Sequence, residues 1–117
     1  MLKVAVILLA AADTPEGMGR MANALTTVEE LRDAGDEVRL LFDGAGVTCI
    51  PSLVDPEQKY AKLFDGLRPV AAACLYCARA YGVKDAVETA GVPFADDFKD
   101  HPSMRGLLAD GYEVITF

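Results

Sequence analysis

The sequence predicts a single α/β domain in which a parallel sheet is covered by helices on both faces, a three-layer sandwich spanning residues 1–117. Three observations lead there. Val, Ile and Leu crowd the segment Lys3–Leu9 without strict alternation, as suits a strand buried on both faces. Segments of helical period separate this run from later apolar runs, and strands alternating with helices build parallel sheets. A chain of 117 residues that is 52% hydrophobic fits one domain with a real core.

The elements follow in order. After Lys3–Leu9, a loop carries Asp13, Thr14, Pro15 and Gly17. Met21, Leu25, Val28 and Leu31 then recur every three or four positions, giving an amphipathic helix of roughly 15 residues. Gly35 stops it as a left-handed cap. Glu37–Phe42 is the second strand, and Asp43-Gly44-Ala45-Gly46 turns the chain beyond its carboxyl end. Asp55-Pro56 reads as an N-cap and first-turn proline, with Tyr60, Leu63, Phe64 and Leu67 as the buried stripe of the second helix. Arg68-Pro69 ends it. Val70–Cys74 is placed as the third strand despite its alanines, because context overrides propensity in a central position. Helical pattern resumes through Cys77–Tyr81 and Lys84–Thr89, with Gly82 between the pieces and Gly91 after them. Val92-Pro93-Phe94 reads as a short edge strand, where proline is tolerated. Pro102–Ala109 is a brief helix capped by Gly111, and Tyr112–Phe117 the last strand.

Composition narrows the function. Eighteen acidic against 11 basic side chains leave a net charge of −7 with no basic cluster, which argues against nucleic acid as a partner. No tract reaches the ~18 apolar residues of a membrane helix. Lys3 with Val4–Leu9 and Ala10-Ala11-Ala12 imitates a secretory signal, but the segment is shorter than the ~15 to 30 residues such signals need. A buried first strand accounts for the same residues, and a cytoplasmic location is expected. Three cysteines cannot all pair within one chain, so the thiols point to chemistry or packing rather than a disulfide scaffold.

Cys74-Leu75-Tyr76-Cys77 is the motif most suited to chemistry. Cys74 is expected to leave the carboxyl end of the third strand, where ligands of open α/β sheets gather, with Cys77 in the first turn of the following helix. Free amides and the positive end of the helix dipole favour a thiolate, so an exposed, ionised Cys74 is expected. Arg79 adds charge to the same helix. The opposing reading is that both cysteines simply fill space in the core.

The opening strand Val4–Leu9, the strand end Phe42-Asp43-Gly44, Cys74 followed eight residues later by Gly82-Val83, and the closing strand Tyr112–Phe117 occur in the order found in the DsrE/DsrF-like family. The chain resembles that family, whose fold is of the YchN type. The resemblance implies a five-stranded, mainly parallel sheet and a homo-oligomer, commonly a trimer or hexamer. It also implies sulfur relay, with transferred sulfur held as a persulfide on Cys74 and exchanged with a sulfur donor or acceptor protein. Cys77 departs from the relay pattern, which typically has a small residue there; as a second thiol it could attack the Cys74 persulfide, releasing sulfide and leaving a disulfide.

Other sites carry less. Gly17-Met18-Gly19-Arg20-Met21-Ala22 imitates a dinucleotide fingerprint with Asp43 as the ribose acid, but about seven residues separate it from the strand, and the fingerprint needs its first glycine in the turn directly after it. Gly17 and Gly19 read instead as a flexible approach to the helix. Cys49, Cys74, Cys77 and His101 have zinc-ligand chemistry, yet only one CxxC exists, so no metal or other cofactor is assigned. His101 reads as a solvated residue at a helix start, Cys49 as a small buried side chain, and Asp96, Asp97 and Asp100 as a solvated loop. Three functions remain open: a sulfur carrier or sulfurtransferase using Cys74 and Cys77, a CxxC thiol-disulfide oxidoreductase, and a non-enzymatic oligomeric binding module.

Overall fold

A computed structural model describes all 117 residues. Five strands form one wholly parallel sheet: β1 (Lys3–Leu8), β2 (Glu37–Phe42), β3 (Ala71–Cys74), β4 (Phe94–Ala95) and β5 (Glu113–Thr116), in the spatial order β4-β3-β2-β1-β5. The chain therefore steps outward from β1 to β4 and returns to add β5 on the other side of β1. Right-handed crossovers put the helices of the outward steps on one face and the helix of the return on the other.

The packing follows this division. A cluster of 22 buried residues joins Val4, Val6, Leu8, Leu40 and Phe42 of the sheet to α1 (Pro15–Asp33), α2 (Cys49–Leu53), α3 (Ala61–Leu67) and α5 (Lys84–Thr89). On the opposite face Ala5, Ile7, Leu41 and Ala95 pack with Leu107 of α6 (Met104–Ala109). One layer is thick and the other thin, as follows from three outward steps and one return. No helix is long and apolar enough to cross a membrane.

Several boundaries differ from the sequence reading. α1 starts at Pro15, behind Thr14, whose side chain accepts a hydrogen bond from the Gly17 amide at 3.0 Å. Gly17 and Gly19 thus lie inside a 19-residue helix rather than in an approach to it. Asp55-Pro56 does not open a helix. Asp55 Oδ1 accepts from the Glu57 amide at 3.0 Å in a turn, and α3 begins only at Ala61. The five residues of α2 were hidden by Pro51, which a first turn accommodates. α6 begins at Met104 rather than Pro102, behind Ser103, which caps it by accepting from the Gly106 amide at 2.9 Å. The alanines of β3 are tolerated because hydrogen-bonded neighbours flank it on both sides.

Two glycines pin the carboxyl end of β1. A Cβ on Gly46 would stand 2.0 Å from the Leu8 carbonyl oxygen, and one on Gly17 would stand 1.8 Å from that of Ala11. Gly19, two residues further along α1, faces open space. Gly46→Ala is therefore expected to lower unfolding stability by about 1–3 kcal/mol through the forced backbone shift. Gly19→Ala is expected to raise it by about 0.5–1 kcal/mol through helix propensity. Urea denaturation of the two variants checks the contrast, and equal effects would contradict the close approach at Gly46.

Candidate functional site

The site is built by strand register. Phe42 of β2 pairs with Ala73 of β3, and Cys74 of β3 pairs with Ala95 of β4. The next residue after Phe42, Asp43, therefore falls beside Cys74 at the carboxyl end of the sheet. The chain leaving β4 then brings in His101. Side-chain donors of Asp43, Cys74, Cys77 and His101 all lie within 4.8 Å of one another.

Each group has a local reason for its position. Cys74 is the N-cap of α4 (Leu75–Ala80), and its Sγ accepts from the Cys77 amide at 3.4 Å. The Cys77 thiol donates to Asp43 Oδ1 at 3.3 Å. The same carboxylate oxygen accepts from the Gly44 amide at 2.9 Å, which fixes its rotamer. Cys74 Sγ lies 3.2 Å from His101 Nδ1 and 3.8 Å from the Asp100 carbonyl oxygen. A thiol–imidazole pair and a thiol–carboxylate pair thus stand side by side.

His101 is held by a loop with a specific construction. Phe98 and His101 exchange both backbone hydrogen bonds, at 2.9 and 2.8 Å, around Lys99 and Asp100. Both central residues are left-handed, with φ of 51° and 66°, a conformation that L-residues adopt at a cost. Contacts to α4 hold the turn: the Tyr76 amide donates to the Asp100 carbonyl at 2.8 Å, Arg79 pairs with the Asp100 carboxylate at 3.1 Å, and the Tyr76 ring lies 4.6 Å from the imidazole. Asp97 accepts from the Ser103 amide at 3.2 Å. The acidic loop is the fastening of His101, a role its composition alone did not suggest. Arg79 serves that fastening by pairing with Asp100.

Burial reverses one expectation. Cys74 is 0% exposed and Cys77 8%. Loss of solvent pushes the Cys74 thiol up to about 12; the Cys77 amide opposes the rise, and the nearby Asp43 charge adds to it. Cys77 is also raised, chiefly by burial. A six-residue helix start does not outweigh desolvation, so the resting Cys74 is a neutral thiol rather than an exposed thiolate. It is not isolated in hydrocarbon, because an amide and an imidazole touch it.

Cys49 stands outside this cluster. Its thiol donates to the Ala10 carbonyl at 3.4 Å, and burial pushes it up to about 11. The four zinc-type ligands that the sequence analysis set aside do not all meet: Asp43, not Cys49, joins Cys74, Cys77 and His101. Asp43 and His101 are the residues whose place in this cluster the sequence reading missed. A signal existed: each follows a strand, and loops after parallel strands converge at one end of the sheet.

The fold and site together define a three-layer α/β protein with a dithiol, an imidazole and a carboxylate gathered at the carboxyl ends of its strands. No family model matches the chain. It is similar to Uncharacterized protein MJ0733 of Methanocaldococcus jannaschii, with 25% identity over 95 residues that cover 81% of this chain and 78% of that protein. Among solved structures, a conserved protein of unknown function, BT1422, from Bacteroides thetaiotaomicron superposes with a TM-score of 0.63 at 14% identity, covering 97% of this chain and 94% of that one. The second likeness is one of fold.

The buried thiols have a consequence for stability. Cys49 and Cys74 are raised from 9.0 to about 11 and about 12 on folding, so each favours the native state fully below pH 9.0 and loses that contribution as pH rises through the folded values. Stability should fall across that alkaline window. Cys49→Ala, outside the cluster, is expected to flatten the fall in urea midpoint, and an unchanged alkaline slope would contradict the burial of that thiol.

Proposed function

We propose that the protein handles sulfur in the manner of the DsrE/DsrF-like family, carrying it as a persulfide on Cys74 with Cys77 as second thiol. The observation that carries this reading is the 3.2 Å contact between Cys74 Sγ and His101 Nδ1. A buried neutral thiol needs a base to become a nucleophile, and an adjacent imidazole is the usual activator. The reading includes a reducing, cytoplasmic setting in which the three free thiols stay reduced, a symmetric homo-oligomer, and a protein donor or acceptor of sulfur.

The step balances without an oxidant. His101 accepts the Cys74 proton, the thiolate attacks the outer sulfur of a donor persulfide, and the donor's S–S bond breaks as the new one forms. The departing donor thiolate takes the proton from the imidazolium. Cys77, whose hydrogen is held by Asp43, is placed to act next. Its attack on the inner sulfur of the Cys74 persulfide releases sulfide and leaves a Cys74–Cys77 disulfide. The presence of both sulfurs in one cluster also favours a second reading, a dithiol/disulfide couple that needs no transferred sulfur.

Intact mass of the reduced, metal-free protein after exposure to a low-molecular-weight persulfide separates these readings. Cys77→Ser is expected to retain one added sulfur atom, Cys74→Ser to add none, and His101→Ala to load about 100-fold more slowly or worse. Loss of two hydrogens in the parent, with no added sulfur atom retained by Cys77→Ser, would instead mark the redox couple. An unchanged mass in every variant would contradict both and leave a binding module.

A further inference from the structure

We infer that Asp43, Cys74, Cys77 and His101 form a four-ligand binding site for a divalent cation of the zinc class. Two thiols, one imidazole and one carboxylate oxygen match the mixed sulfur, nitrogen and oxygen preference of that ion, and four protein donors match its tetrahedral structural sites. No two of these donor atoms are more than 4.8 Å apart. With Zn–S of about 2.3 Å and Zn–N or Zn–O of about 2.0–2.2 Å, tetrahedral donors stand roughly 3.3–3.8 Å from one another. The pairs Cys74–His101 and Cys77–Asp43 are already at 3.2 and 3.3 Å. Closure of roughly 1–1.5 Å at the widest separation completes the geometry.

The surroundings fit a thiolate-bound cation. The Cys77 amide aims at Cys74 Sγ, and the Gly44 amide aims at Asp43 Oδ1, so two ligand atoms are held by hydrogen bonds from backbone amides. Binding displaces the two thiol protons to solvent and leaves two thiolates and a carboxylate facing a doubly charged ion. That compensation answers what is otherwise an unfavourable neighbourhood for charge, two dehydrated thiols against an acid. His101 and Asp43 are only partly buried, so the cluster is not closed off from solvent. The ligands come from three different parts of the chain, so a bound ion ties β2, β3 and the loop after β4 together. Metal binding does not depend on Cys74 ever carrying sulfur; on the sulfur reading, however, a loaded site and a persulfide exclude each other.

Cobalt(II) titration of the reduced, metal-stripped full chain tests this. The expected result is one ion per chain, with tetrahedral visible bands and thiolate-to-cobalt charge transfer that Zn²⁺ abolishes by displacement. Cys74→Ser and Cys77→Ser should each remove charge-transfer intensity. His101→Ala and Asp43→Asn, at part-exposed positions that circular dichroism can confirm as folded, should weaken binding by at least the roughly 10–100-fold associated with outer-shell changes. Cys49→Ser should bind as the parent does. Absent charge transfer, affinity unchanged in either His101→Ala or Asp43→Asn, or loss of binding in Cys49→Ser would each overturn the four-residue site. Sulfur loading is read on metal-free protein by mass, so either outcome can fail without the other.

Discussion

Parallel register across β2, β3 and β4 is the constraint on which the site depends. Phe42 opposite Ala73, and Cys74 opposite Ala95, put the ends of three neighbouring strands on one level. Asp43 leaves the sheet there, and Cys74 turns into α4. A slip of one residue would send these side chains to opposite faces of the sheet. The register is held by the larger core, where Leu40 and Phe42 are fully buried on the helical face, and by the edge-to-face contact of Phe42 with Phe64 at 5.7 Å. Hydrophobic packing thus positions the cluster, and Cys74 and Cys77 are themselves members of that core.

The same packing sets the chemistry. A thiol at a helix start in open solvent would ionise easily, but Cys74 is sealed from water and its proton is held tightly. Reactivity must then come from a specific partner, either a base that removes the proton or a cation that replaces it. His101 Nδ1 lies 3.2 Å from the thiol, and the four donor atoms lie within 4.8 Å of one another. A left-handed pair, Lys99 and Asp100, is accepted in the loop that delivers the imidazole. Strain of that kind persists where surrounding contacts over-determine it, here the fastening by Tyr76 and Arg79.

Much of the fold was legible because its signals are local. Lys3–Leu9 and Glu37–Phe42 announce buried strands by composition, and Met21, Leu25 and Val28 announce α1 by period. Gly35 and Gly111, at φ of 83° and 89°, terminate α1 and α6 as expected of left-handed caps. The short pieces were not legible. α2 is five residues long with Pro51 inside it, and the Asp55-Pro56 signature made a turn because Tyr60 and the residues after it, rather than Pro56, meet the core. The Cys74–Cys77 half of the site could be read from spacing within one turn. Asp43 and His101 are brought in by tertiary register, which a motif search along the chain does not represent. The ionisation of Cys74 was misjudged because dehydration depends on what covers the strand end, and that cover comes from residues far away in sequence.

The convergence of the imidazole with the buried thiol is measured most directly by nitrogen NMR, because the chain has one histidine and its ring signals need no assignment. In the reduced protein, the Nδ1 resonance of His101 is expected to shift when Cys74 is replaced by serine, and to stay in place when Cys49 is replaced. An Nδ1 signal indifferent to the replacement of Cys74 would contradict the account.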